Sequence, residues 1–186
     1  PDISAPDVVL TASTGSIGTV SNPLEIDVAA SSLNAAAQGD IVVTDVVGGL
    51  GVGQISSATG SVTLATVDQQ DSAAEDINLS AASSIRALQG NVTLRAGDDI
   101  IAAAGSQIQA GGTVTLRADY GDADTGFGVV VDLRGDIRGS AVDIATGADG
   151  DSLSLTRILA DTRLDGGGAD DIIRVGSHAT PTGNSG

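Results

Sequence analysis

The chain has 186 residues, 24 acidic and 8 basic, and a formal net charge of −16 at pH 7, which argues against nucleic acid or anionic membrane as partner because binding either relies on a basic face. Cysteine is absent, which excludes disulfides, thiol catalysis and thiolate zinc sites. With one Phe, one Tyr and neither Trp nor Met, the apolar volume falls to Val, Ile and Leu.

In chain order, Val8-Val-Leu-Thr, Leu24-Glu-Ile-Asp-Val and Ile41-Val-Val-Thr have strand character in poor mutual register. Between them, Ser31-Ser-Leu-Asn-Ala-Ala-Ala-Gln is the only candidate for a short helix, no stretch of about ten residues having a convincing helical stripe. A phrase then recurs: Gly39-Asp-Ile-Val-Val-Thr loosely, then Gly60-Ser-Val-Thr-Leu-Ala, Gly90-Asn-Val-Thr-Leu-Arg-Ala and Gly112-Thr-Val-Thr-Leu-Arg-Ala. The starts lie 21, 30 and 22 residues apart, the signature of stacked repeats with one insertion. That insertion is expected to bulge from a corner near Val67-Asp-Gln-Gln-Asp-Ser, before Asp76-Ile-Asn-Leu-Ser and Ser84-Ile-Arg-Ala-Leu.

Residues 90–111 read most clearly as one coil: three short runs separated by Gly97-Asp-Asp and Gly105-Ser. Alternation with period 2 turns Val92, Leu94 and Ala96 inward and Asn91, Thr93 and Arg95 outward. One coil later Val114, Leu116 and Ala118 follow the same register, with Thr113, Thr115 and Arg117 outside. A second corner loop, Tyr120-Gly-Asp-Ala-Asp-Thr-Gly-Phe-Gly, precedes Val129-Val-Val-Asp-Leu, Asp136-Ile-Arg, Val142-Asp-Ile-Ala and Leu153-Ser-Leu-Thr.

The expected fold is therefore all-β: a single-stranded parallel β-helix, or β-solenoid, of about seven coils with roughly 20 to 25 residues each and insertions at the corners. It is read as one continuous unit over 1–177, clearest over 60–118, followed by a flexible polar tail at 178–186. No run reaches the roughly 18 apolar residues that span a bilayer, and Pro1-Asp-Ile-Ser lacks the basic and apolar regions of a signal peptide. The chain reads as a piece of something longer whose export signals lie elsewhere.

Of the acidic residues only Glu25 and Glu75 are Glu. Asp bonds local backbone through its short side chain, so its excess reads first as turn chemistry. Asp119, Asp122 and Asp124 form the densest group, offering the hard oxygen ligands that calcium prefers; the alternative is a solvated acidic corner. Asp98-Asp99 suit a hydrated turn or a partner for Arg95 and Arg117, which would otherwise stack as like charges. A polysaccharide-degrading site would draw on Asp98, Asp99, Asp119, Arg95 and Arg117. The chain offers no aromatic platform for sugar rings beyond Tyr120 and Phe127, and its sole histidine, His178, sits in the polar tail, so a non-catalytic chain is expected. An outward row of Thr63, Thr93 and Thr115 hints at an ice- or surface-binding face, but Arg95 and Arg117 spoil its flatness.

The run Gly90-Asn-Val-Thr-Leu-Arg-Ala through Gly112-Thr-Val-Thr-Leu-Arg-Ala resembles the repeats of filamentous-haemagglutinin-type β-helices of large bacterial surface and secreted proteins, over roughly residues 36–155. The resemblance implies a right-handed parallel β-helix serving as stalk or adhesive shaft, outside the cell or on its surface. Partners expected on that basis are neighbouring coils of a longer chain or further copies, with a glycan or host-surface ligand on one face. Near the C-terminus, over 165–175, Gly166-Gly-Gly-Ala-Asp-Asp-Ile-Ile is similar to the calcium-binding nonapeptide of RTX proteins, with Ala169 in place of its third Gly. Asp149-Gly-Asp151 is a degenerate earlier copy, and the resemblance implies a shared calcium among Asp149, Asp151, Asp170 and Asp171 if the two stack; a structural turn is the alternative.

Overall fold

The computed structural model describes residues 1–28, 32–70, 75–123 and 125–176. The first coils are β1 (Ile3–Ser4) with β2 (Val8–Ala12), β3 (Leu24–Asp27) with β4 (Ser32–Ala37), and β5 (Ile41–Asp45) with β6 (Leu50–Ser57). The middle coils are β7 (Val62–Thr66) with β8 (Ile77–Ala87), then β9 (Val92–Arg95), β10 (Ile100–Ala102) and β11 (Gln107–Ala110). Next come β12 (Thr113–Arg117), β13 (Val130–Leu133) and β14 (Asp136–Arg138), then β15 (Ala141–Ala145) with β16 (Ser152–Leu155), and last β17 (Thr162–Asp165) with β18 (Ile172–Val175). All pairings between these strands are parallel and join consecutive coils, giving a β-solenoid of about seven turns.

One eight-stranded sheet stacks the first strand of every coil and a ten-stranded assembly stacks the rest. The long strands β6 and β8 bend at a register shift, so their second halves join β11 and β14 as a third wall. Among the described residues no helix is long and apolar enough to cross a membrane.

Inside, side chains meet their own kind. Ile17, Ile41, Val62, Val92, Val114 and Val142 form one column, and Val43, Leu64, Leu94, Leu116 and Ile144 the next. Ile55, Ile85, Ile108, Ile137 and Ile158 run down the third wall. Nearly all of these are buried, each contributing about 1.5–3 kcal/mol of hydrophobic stabilisation. Branched aliphatic side chains of similar size in register at about 4.8 Å leave few irregular gaps, which is why the core needs no aromatic filler.

The repeated glycine has a geometric cause: a Cβ on Gly90 would stand 2.3 Å from the Gly60 carbonyl oxygen one coil earlier. Backbone direction is equally regular. Inward residues send their amides to the following coil, as Ile41 to Ser61, Ile77 to Asp99 and Val142 to Asp161. Outward residues send theirs to the preceding one, as Ser152 to Val129 and Ile172 to Asp151.

The one candidate for a helix is a strand, in keeping with the all-β expectation. From Ser32 to Ala37 the chain is β4, paired with β2 and β6, and Leu33, Ala35 and Ala37 alternate inward; Ser31 lies outside the described residues. The alanines' helical preference, worth tenths of a kcal/mol each, loses to pairing on both edges. An insertion unforeseen in the sequence explains the poor N-terminal register. Ile17 takes its place over Ile41, the chain turns out through Gly18 at φ 65°, and Leu24 resumes the strand over Val43.

Candidate metal centre

The corner joining the first sheet to the second carries most of the acidic chemistry. Described parts of two loops meet there, the one between β7 and β8 and the one between β12 and β13; Asp71 and Ser72 of the expected corner bulge lie outside the described residues. Asp68 of the first accepts the amide of Ala123 in the second, across the intervening coil. Gly97 and Gly121 leave room for this, since a Cβ on either would fall within 3 Å of Asp68 atoms.

Most carboxylates here bind backbone of a neighbouring coil. Asp98 takes the Glu75 amide, Asp76 that of Asp99, Asp99 that of Val130, Asp151 that of Val129 and Asp171 that of Asp151. The opposite corner repeats the device with Ser16, Asp40, Ser61 and Asn91, each accepting the amide one coil on. An amide that a corner would orphan is thus satisfied by a short polar side chain.

Three carboxylates converge differently. Oxygens of Asp119, Asp122 and Asp149 lie within 4.8 Å of one another. Asp119 and Asp122 both adopt positive φ, 52° and 51°, a left-handed conformation that Asp tolerates better than most side chains. Asp119 is buried, and its Oδ2 rests where a Cβ of Gly147 would stand, at 1.5 Å, so only glycine fits beneath it. Asp149 also accepts the Gly126 amide at 2.7 Å. Oxygens bound to one calcium at about 2.4 Å are at most about 5 Å apart, so the spacing fits such an ion, with carbonyls or water completing a shell of about six to eight.

Of the other residues singled out, Asp124 and His178 lie outside the described residues. Asp149-Gly-Asp151 and Ala169-Asp-Asp171 do stack, with Ser152 over Ile172. Asp151 and Asp171 there serve as amide caps, and Asp170 is exposed. Asp99 is pushed up to about 6 by burial, against the Val130 amide that stabilises its charge, with Asp76 and Asp98 adding repulsion.

Arg95 and Arg117 stack in register. Neither turns to Asp98 or Asp99: Arg117 binds Asp143 at 2.5 Å, and Arg95 lies 5.0 Å from the centre of the Tyr120 ring. Arg163 reaches Asp143 from the far side and Asp165 beside it. The Arg117 hydrogen bond outweighs the desolvation that opposes it and, with Arg163 adding to it, holds the Asp143 carboxyl below the usual carboxylate range. Sequence reading missed Asp143 as the partner, though alternation through Val142 and Ile144 turns it outward beside Thr115. It also missed Asp45, whose place after Ile41 and Val43 turns it inward.

Compared with known proteins, the chain matches no family model, no curated sequence and no solved structure.

Proposed function

We propose that this chain is a non-catalytic, load-bearing segment of a large extracellular bacterial surface protein: a rigid stalk or adhesive shaft built from filamentous-haemagglutinin-like coils. The observation that carries this reading is the use of its polar groups. Corner carboxylates, serines and asparagine serve as amide caps between coils, and both stacked arginines are engaged. Such a rod resists axial force through parallel hydrogen bonds between every pair of coils.

A second reading, a glycan- or protein-binding face, draws on the depression along the bend of β8, lined by Gln54, Ser83, Ser84, Arg86 and Gln107. Its side chains are already occupied with one another: Ser84 bonds Gln54 and Arg86 bonds Gln107. One experiment separates the readings: the chain is assayed on a glycan array and for turnover of acidic polysaccharides. Neither binding nor turnover supports the shaft; binding abolished by Arg86→Ala supports the module; turnover lost in Asp98→Asn overturns the non-catalytic reading.

Calcium at Asp119, Asp122 and Asp149 is proposed as a stiffener of the rod, a reading that joins two carboxylates of the acidic corner loop to Asp149 of the RTX-like stretch. With free calcium a hundredfold above Kd, mass action adds about 2.7 kcal/mol, or roughly 5–10 °C in Tm for a chain of this size. Thermal unfolding in millimolar calcium and after chelation should differ by that much, and Asp122→Asn should abolish the difference. Equal midpoints would remove calcium from the account.

A further inference from the structure

Among the described residues the coil of β17 and β18 has a neighbour on one side only. Leu153 and Leu155 are buried, while their column mates Ile173 and Val175 are 47 % and 76 % exposed. What covers the first pair is the next coil. The amides and carbonyls of Ile173 and Val175, as inward residues, face a following coil in the direction set throughout the rod.

The first coil has the complementary edge. Val8 and Leu10 turn inward and belong with β4; Val9 has the outward parity and points its backbone groups toward a preceding coil, and Asp7 lies in the bend immediately before β2. Register extends through the whole stack. Val8, Leu33, Val52, Leu79, Ala102, Leu133, Leu155 and Val175 are one column. The outward column beside it runs from Ser32 through Gly51, Asn78, Ile101, Asp132 and Ser154 to Arg174, and extending the β2–β4 register by one residue brings Asp7, in the bend before Val8, to its other end. Both of those end residues are exposed.

We propose that the chain associates head to tail with a second copy of itself, the β18 edge of one rod pairing in parallel with the β2 edge of the next. Val175 then continues into Val8 of the next copy, and Arg174 faces its Asp7. Parallel geometry at that register lets the Asp7 amide and carbonyl bond the groups flanking Arg174, those of Ile173 and Val175. The charge pair selects this register: a slip of one residue would turn the apolar column outward and part Arg174 from Asp7. In the first sheet Asp2 comes over Asp165, but Asp2 already takes the Glu25 amide and Asp165 holds Arg163, so neither is an unscreened carboxylate. This inference rests on the rod reading for its geometry alone.

The test is sedimentation of the full chain in chelator from about 1 to about 100 μM, a range that brackets micromolar Kd. Mass should rise with concentration as elongated species. Arg174→Glu and Asp7→Arg should each weaken association roughly tenfold or more. An equimolar mixture of the two variants should recover it. At one junction the carboxylate introduced in the first variant meets the guanidinium introduced in the second, and at the next the original Arg174 meets the original Asp7. The milder pair Arg174→Gln and Asp7→Asn repeats the test if either charge reversal lowers the thermal midpoint. A chain monomeric throughout, or association indifferent to both variants, or a mixture without recovery overturns the proposal. A monomer with a β-rich circular dichroism spectrum and an elongated shape would do so while leaving the rod intact.

Discussion

A single carboxyl shows how strictly position governs chemistry in this chain. Asp45 is fully buried between Ile26 and Thr66, and its Oδ1 accepts the Val47 amide at 3.3 Å. Burial pushes it up to about 6; the amides of Val47, Val28 and Val46 oppose that rise, and Asp27 adds repulsion. The folded state therefore holds this proton more tightly than the unfolded chain does. Stability from Asp45 is present in full below about pH 4 and is lost as pH rises through about 6, on the order of 2–3 kcal/mol by pH 7. Asp99 acts in the same direction, and Asp143, with its lowered carboxyl, in the opposite one as pH falls below the usual carboxylate range. Thermal midpoints should rise from pH 7 to 5, and Asp45→Asn, which keeps the oxygen that caps Val47, should remove much of that rise. An unchanged slope would show that the carboxyl is ionised in the fold. The sequence held part of this: Asp as turn chemistry was legible from composition. Which amide a corner Asp serves in a neighbouring coil was not, because that partner lies 20 or more residues away and depends on loop lengths, as with Asp99 and Val130 or Asp151 and Val129.

At the scale of a strand, face decides consequence. Ile108 stands mid-column between Ile85 and Ile137 with no exposed surface, and Ile108→Ala should cost about 2–5 kcal/mol in denaturant unfolding. Thr93, flanked by the buried Val92 and Leu94 but facing out, should change stability by less than about 0.5 kcal/mol when replaced by Ala. Equal losses at the two sites would deny the register. Gly18→Ala combines a strained φ with a Cβ 2.2 Å from the Val42 carbonyl oxygen and should cost several kcal/mol, on the order of 3, since neither backbone can yield cheaply. Strands and their inward faces were readable wherever the glycine phrase held, notably at Val92, Leu94, Val114 and Leu116. They were obscured where an insertion splits a strand, as after Ile17, and where Ala35, Ala36 and Ala37 carry a local preference that neighbouring strands override.

Across the whole molecule, protection should follow the stack. The amides of β9, β10 and β12, with coils on both sides, should exchange hydrogen more slowly than those of β18, which pairs on one edge only among the described residues, by about a hundredfold or more. Hydrogen exchange read by mass spectrometry on the dilute chain would show this gradient; uniform protection would mean the rod opens only as a unit. At concentrations where copies join, β18 should gain protection and β10 should not.

Strand partners are 19 to 31 residues apart and always one coil apart. Each finished coil is thus a complete template for the next, and no strand waits for a partner from the far end of the chain. A polypeptide threaded through a narrow pore, one end first, can wind itself up coil by coil as it emerges. Each turn of folding then holds the emerged length outside, so that winding works as a ratchet against backsliding.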